Sequence, residues 1–319
     1  LLFGSWNIGY QHGLAFGIER SLVENFLFGF LKILPVIIVS YGVGLGIEFI
    51  SAQIRGHEVN EGFLVTGILI PLILPVNIPL WMVALAVTFA VIFGKEIFGG
   101  TGYNIMNVAL IARAFLFFAY PSQMSGDAVW VYELPGNTPV DGFSGATPLA
   151  QLAQGATSKM ASFHDMFMGF IPGSMGETST IAILIGAAIL IFTGIGSWKI
   201  MLSTVFGALA IGLLCNVLSL NDYMSLPPYY HLVMGGFAFG AVFMATDPVT
   251  ASHTEKGKWI YGFMIGFLVV LIRLFNPAYP EGMMLAILLM NVWSPLIDYF
   301  VIEGHIKRRL KRANLKGNA

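Results

Sequence analysis

The sequence predicts an all-α polytopic membrane protein, and three observations carry that prediction. Of 319 residues, 56% are hydrophobic and only 10% are charged, where an ordinary soluble domain carries about a quarter charged residues. The mean hydropathy is +0.78. Apolar runs recur along the whole chain, and 37 Gly and 15 Pro suggest helices that are closely packed or broken. These features exclude a water-soluble enzyme and a disordered chain. Sixteen Lys+Arg against 17 Asp+Glu leave no basic excess to grip nucleic-acid phosphates. The single cysteine, Cys215, excludes a disulfide framework, a CxxC pair and a cysteine-ligated iron–sulfur cluster. The chain opens on Leu1-Leu2-Phe3-Gly4 without an initiator Met and is read as lacking an N-terminal part.

Nine apolar runs follow in order, at 27–50, 63–75, 78–93, 103–119, 179–193, 200–218, 231–246, 259–274 and 283–302. The first carries Gly42, Gly44 and Gly46, small faces that permit tight packing, and then Glu48. A carboxylate there is costly in lipid unless it is paired or wet. The runs 63–75 and 78–93 are shorter than the ~20 residues of a full crossing. Pro71 lies in the first of them and Pro75 ends it. Proline removes a backbone donor, so this stretch reads either as a broken segment lining protein or a cavity, or as a kinked, packed helix. The run 103–119 follows Gly99-Gly100-Thr101-Gly102, with Asn104 and Asn107 at i, i+3 on one helical side. Phe239 and Phe243 sit at i, i+4 in 231–246, a spacing typical of core packing. The last run holds Asp298. It reads either as a functional intramembrane carboxylate, whose oxygens suit Na+, or as a helix-end group capping or pairing with Lys307 or Arg308. The six His show no metal-ligand spacing, and no metal site is expected.

Lys and Arg orient the spans. The tail after the last run holds Lys307, Arg308, Arg309, Lys311, Arg312 and Lys316, which makes this end cytoplasmic. Stepping backwards puts Lys256, Lys258, Lys199, Lys95 and Arg55 in cytoplasmic loops as well. The opposite side receives the 120–178 segment, with Asp127, Glu133, Asp141, Asp165 and Glu177 against one Lys159.

Two stretches look alike. Phe63-Leu-Val-Thr-Gly67 leads to Leu74-Pro-Val-Asn77-Ile-Pro79, and His231-Leu-Val-Met-Gly235-Gly236 leads to Ala245-Thr-Asp247-Pro248. The second unit has five spans and the first has four, so the expected architecture is two five-helix inverted repeats with broken helices, the first helix of repeat one being absent. The expected parts are a first, incomplete repeat at 1–119, an extracytoplasmic loop at 120–178, a second repeat at 179–302 and a basic cytoplasmic tail at 303–319.

A loop as long as 120–178 is usually functional or disordered. Within it, Asp141-Gly142-Phe143-Ser144-Gly145-Ala146-Thr147-Pro148 places one hydroxyl among small residues. On the residues alone this is a turn with an accessible threonine.

Asp-x-x-Ser-Gly-Ala-Thr resembles the acceptor motif of a flavin transferase. The wider chain resembles the B subunits of the Na+-translocating NADH:quinone oxidoreductases, with the D subunits of the Rnf complexes as the paralogous alternative. The resemblance rests on His57-Glu-Val-Asn-Glu-Gly62, Lys95-Glu-Ile-Phe-Gly-Gly-Thr-Gly102, Arg113-Ala-Phe-Leu-Phe-Phe-Ala-Tyr-Pro121, Gly235-Gly-Phe-Ala-Phe-Gly240, Met244-Ala-Thr-Asp-Pro248 and Asn276-Pro-Ala-Tyr-Pro-Glu-Gly-Met-Met284.

The resemblance implies FMN joined through its phosphate to Thr147, with Asp141, Ser144, Gly145 and Ala146 serving the transferase. It implies non-covalent riboflavin near Gly100, Gly102, Asn104, Asn107 and Asp247, and a quinone site near Gly44 and Glu48. In the family the adjacent glycines precede the Glu, whereas here they alternate with Val43 and Leu45. A hydrophobic constriction at Phe239 and Phe243 and Asp298 would lie on the Na+ path. The implied setting is a multi-pass subunit in a bacterial inner membrane, with the 120–178 loop periplasmic. Its partners would include a second covalent-FMN subunit and an NADH-oxidising FAD/iron–sulfur subunit, and no nucleic acid. A rival reading is a flavin-free channel of the same repeat fold, similar to urea-type channels, and Asp141 to Thr147 discriminate the two.

Overall fold

In the computed structural model the described residues are 1–56, 61–127, 129–132, 140, 144–155, 160–219, 224–276 and 281–317. Among them every regular element is helical. The first is a helix the sequence reading did not place: α1, Leu2–Phe16. Its apolar signal is weak because its buried face is polar. Asn7, Gln11 and His12 are all buried, and Asn7 Nδ2 donates to the Ile171 carbonyl at 3.0 Å. It lies close against α2, where a Cβ at Gly9 would collide with the backbone of Asn25.

Helix α2, Leu22–Arg55, is 34 residues long, or roughly 50 Å at 1.5 Å per residue. It starts at a capping box, in which Ser21 Oγ accepts from Glu24 N–H and Glu24 Oε2 accepts from Ser21 N–H. Helix α3, Phe63–Leu72, contains Pro71 and stops after ten residues, one position beyond it. Its freed carbonyls do not stay orphaned: Leu72 O accepts from Gly176 N–H at 2.7 Å and Leu74 O from Met175 N–H at 3.3 Å. Non-helical backbone at membrane depth is tolerated only when protein satisfies it in this way. The chain then continues through α4, Leu80–Gly94, and α5, Val108–Ala119.

Among the described residues of the 120–178 segment, part is packed against the rest of the protein. The segment contains α6, Pro121–Met124, α7, Pro148–Ala153, and α8, Phe163–Met168. Leu149, Leu152, Met166 and Ile171 form a small apolar cluster with Val233 and Met234. Helix α9, Thr180–Phe192, and α10, Trp198–Leu218, follow.

The expected span at 231–246 is broken into α11, Tyr230–Val233, α12, Phe237–Phe239, and a π-helical turn at Gly240–Met244. Its freed carbonyls are met by a side chain. Arg273 Nη1 donates to His231 O at 2.6 Å and Nη2 to Met234 O at 2.9 Å. Arg273 lies near the end of α13, Glu255–Phe275, which packs on α10 through glycines: a Cβ at Gly266 would collide with the backbone of Thr204. Helix α14, Met283–Gly317, runs unbroken from the last apolar run into the basic tail.

Among the described residues, five helical stretches are long and apolar enough to cross a membrane: Leu22–Arg55, Leu80–Phe98, Trp198–Leu218, Glu255–Phe275 and Met283–Ala313. Three of the nine apolar runs are the shorter helices Phe63–Leu72, Val108–Ala119 and Thr180–Phe192.

Candidate functional site

A cavity of about 320 Å³ lies where α3, the start of α5 and the π-helical turn meet, lined by Thr66, Lys95, Asn104, Asn107, Phe243 and Asp247 among others. Asn107 is its hub. The side-chain oxygen caps α5 by accepting from Leu110 N–H at 3.2 Å, and Nδ2 donates to Asp247 Oδ2 at 3.3 Å. Its backbone N–H donates to Asn291 Oδ1 at 3.1 Å, and Asn291 Nδ2 in turn donates to the Tyr261 hydroxyl at 2.7 Å. Asp247 is held further by Thr250 Oγ1 at 2.9 Å and Val249 N–H at 3.2 Å. Asn104, Asn107 and Asp247 all line this cavity, although Asp247 lies 140 residues from Asn107. The two Asn do not share a helical side as expected, because α5 begins at Val108, with Asn107 its N-cap and Asn104 in the preceding loop.

Gly100 and Gly102 do not line this cavity. Their φ angles of 93° and 90° let the preceding loop turn, a conformation that disfavours any side chain. Lys95, which the sequence reading did not place in any site, reaches the cavity and forms a buried ion pair with Glu48. Each side chain of that pair is about 5% exposed or less, so Glu48 in its span is paired, as a carboxylate there must be. Gly44 faces the Phe63 ring, which a Cβ would strike, while Gly42 and Gly46 have open space.

Phe239 and Phe243 lie with ring centroids 4.9 Å apart, the first buried and the second half-buried on the cavity wall. The π-helical turn between them sets this approach, and Gly186 of α9 leaves room for the Phe243 ring.

Thr147 is the N-cap of α7. Its Oγ1 accepts from Ala150 N–H at 3.3 Å and the residue is half-buried. Ser144 is exposed, and its Oγ accepts from Ala146 N–H at 3.3 Å; Gly145 sits tightly on the Asp127 carbonyl. Asp141 lies outside the described residues. Beside Thr147 is a group the sequence did not single out. Arg113 bridges Glu177, at 2.8 Å, and Glu281. Burial pushes the Glu177 carboxyl above the usual range, against the opposite pull of Arg113. Arg113 and Glu281 belong to stretches that carry the family resemblance, and Glu177 counts in the sequence only as a charge. Nothing in their spacing announces that they meet.

Asp298 does not pair with Lys307, which binds Glu303 at 2.7 Å instead. Its Oδ1 accepts from Ser252 Oγ at 2.6 Å, Thr254 Oγ1 at 2.6 Å and Thr254 N–H at 3.0 Å, and Oδ2 accepts from His253 N–H at 2.8 Å. It thereby ties α14 to the capping turn of α13.

Residues 1–307 match the model of the NQR2, RnfD, RnfE family. A protein of Ectopseudomonas mendocina (strain ymp) is 50% identical over 98% of this chain and 83% of its own length. A protein of Chromohalobacter salexigens is 49% identical over 98% of this chain and 80% of its own. One from Klebsiella pneumoniae (strain 342) is 51% identical over 96% and 75%. All three are named as the B subunit of a Na(+)-translocating NADH-quinone reductase. With the family model matching nearly end to end and half the residues identical to these relatives, the chain belongs to the NQR2, RnfD, RnfE family.

Proposed function

We propose that this chain is the flavin-bearing membrane subunit of a sodium-translocating NADH:quinone reductase. In this reading FMN is joined to the Thr147 hydroxyl through a phosphoester, and riboflavin occupies the cavity around Asn104, Asn107 and Asp247. Quinone is reduced near Gly44 and Glu48, and Na+ passes by Phe239, Phe243 and Asp298. The subunit sits in a bacterial inner membrane as two inverted five-helix repeats, with Thr147 on the periplasmic side and the basic tail in the cytoplasm. NADH is oxidised on a partner FAD/iron–sulfur subunit, and a second covalent-FMN subunit completes the flavin chain.

The observation that carries this reading is the convergence of Asn107, Asp247, Phe243 and Lys95 on one cavity of about 320 Å³. These residues fit a flavin. Asn107 uses one of its two amide N–H groups on Asp247, leaving the other for a ring carbonyl or nitrogen. The Phe243 ring supplies an apolar face, and the buried Lys95–Glu48 pair adds polarity without net charge. Small neighbours and the capping bond to Ala150 hold the Thr147 oxygen in one place, as an acceptor of a phosphoester needs. A bound flavin supplies the electron chemistry, while the protein positions it and excludes water.

The test is flavin analysis of two variants of the assembled complex. Thr147→Ala should abolish in-gel fluorescence of the denatured subunit. Asn107→Ala should keep that fluorescence and lower the flavin extractable by acid. A fluorescent denatured band from Thr147→Ala would refute the attachment site.

A further inference from the structure

Two cations lie just before α2 and in its first three turns, Arg20 and Lys32. Lys32 Nζ lies 4.2 Å from the Tyr132 ring centroid and 5.5 Å from that of Phe28. Arg20 Cζ lies 4.3 Å from the same Phe28 ring, and its Nη1 donates to His12 Nδ1 at 3.2 Å and to the Gly9 carbonyl at 3.4 Å. Among the described residues neither cation forms a salt bridge, and only Arg20 feels a nearby carboxylate, that of Glu24. Aromatic rings attract a cation but leave its charge in place. Such a site is completed by an anion.

Lys32 lines a groove of about 670 Å³ between α2, the turn after α3 and Ser122, Gln123, Val129 and Tyr132. Its volume is in the range of small-molecule sites. Its inner wall is apolar and buried, formed by Val36, Val76, Ile78 and Val129. Its polar lining groups include half-buried Lys32 and exposed Ser122. The adjoining rim carries an exposed Trp81 packed edge-on against Tyr120 at 5.5 Å. Trp and Tyr concentrate at the level of lipid headgroups, and a lysine stem reaches from apolar surface toward that level. A small soluble anion would satisfy the cation but not the apolar wall, and a neutral lipid would do the reverse.

We propose that this groove binds an anionic phospholipid, with its phosphate at Lys32 and an acyl chain along Val36, Val76 and Ile78. Arg20 adds attractive potential from across the Phe28 ring. The site is independent of the flavin and sodium assignments, since none of its residues belongs to them.

The test uses the assembled complex, stripped of lipid in detergent and titrated with phosphatidylglycerol or phosphatidylcholine, with retained lipid counted by native mass spectrometry. The wild type should retain phosphatidylglycerol in preference to phosphatidylcholine. Lys32→Ala should weaken phosphatidylglycerol retention about fivefold, the contribution of one basic residue at an anionic lipid surface. Lys32→Arg should keep it, and neither change should alter phosphatidylcholine retention. Equal retention of the two lipids by the wild type, or of phosphatidylglycerol by wild type and Lys32→Ala, overturns the proposal. A photoreactive side chain at exposed Ser122 decides the matter even if Lys32→Ala fails to assemble. Crosslinking to phosphatidylglycerol supports the lipid, and crosslinking to an acidic protein segment in its place refutes it.

Discussion

At the end of α3 the carbonyls of Leu72 and Leu74 accept from the backbone N–H groups of Gly176 and Met175, whereas at the end of α11 the carbonyls of His231 and Met234 accept from the guanidinium of Arg273. Both breaks expose polar backbone inside an apolar protein, where an unmet acceptor is expensive. The first is repaired by main chain, which any non-proline residue supplies. The second, among the described residues, uses a side chain, whose planar fork reaches several oxygens at once. Breaks that look alike in sequence therefore differ in their tolerance of substitution. Each repair also ties a loop to the membrane helices. The 174–177 stretch that closes the first break carries Glu177, and Arg273 also takes the Glu281 carbonyl at 3.1 Å, so both repairs converge on the Arg113 ion cluster.

The largest effect is expected at Arg273. Arg273→Met takes a donor from the two buried carbonyls of His231 and Met234, at roughly 1–3 kcal/mol each, while the Glu281 carbonyl keeps Met283 N–H. The matched change at the other break, Met175→Leu, keeps the N–H and should cost less than about 1.5 kcal/mol. Thermal unfolding of the purified complex compares them, and equal losses would erase the distinction between main-chain and side-chain repair.

Next comes the cluster that joins the two breaks. Arg113→Met strands two carboxylates and should cost about 3–5 kcal/mol. Adding Glu177→Gln should return part of that loss, because one stranded charge is removed. Glu177→Gln alone sharpens the picture through pH. The folded pKa of Glu177 is raised from 4.5 to about 7, chiefly by burial. Its contribution to stability is therefore fully present below 4.5 and lost as pH rises through about 7. The wild type should lose stability relative to Glu177→Gln over that window, read as melting temperatures across it. Parallel curves would remove Glu177 as the titrating group.

Asp298 lies away from both breaks and calibrates them. It accepts four hydrogen bonds from residues 252–254 while only half-buried. Asp298→Ala should cost about 1–3 kcal/mol, less than either arginine. If the residue also serves an ion path, the half-saturating Na+ concentration for quinone reduction should rise at unchanged flavin content, with partial recovery in Asp298→Glu. A stability loss with an unmoved sodium response would leave Asp298 as a tie between α13 and α14 alone.

Hydropathy and proline positions are enough to read the all-helical membrane class, the interruption at Pro71 and the shortness of 63–75, because burial in lipid imposes them locally. Paired Asn104 and Asn107 are legible as a polar spot at a helix start. Helix α1 is not, because Asn7, Gln11 and His12 lower its hydropathy while facing inward. Nor is the length of α14, whose basic end continues the helix under its own propensity where composition marks only a change of solvent.

Amino-acid order alone sets where apolar segments lie, where they break and which residue types sit at the breaks. Partners come from packing: Asp247 with Asn107, Lys95 with Glu48, Arg113 with Glu177 and Glu281, and Arg273 with the carbonyls of α11. The two kinds of information differ in range. Hydropathy and helix breaking act over one turn to one span, whereas a buried charge or freed carbonyl is satisfied by whatever group the packing of distant helices brings within about 3 Å.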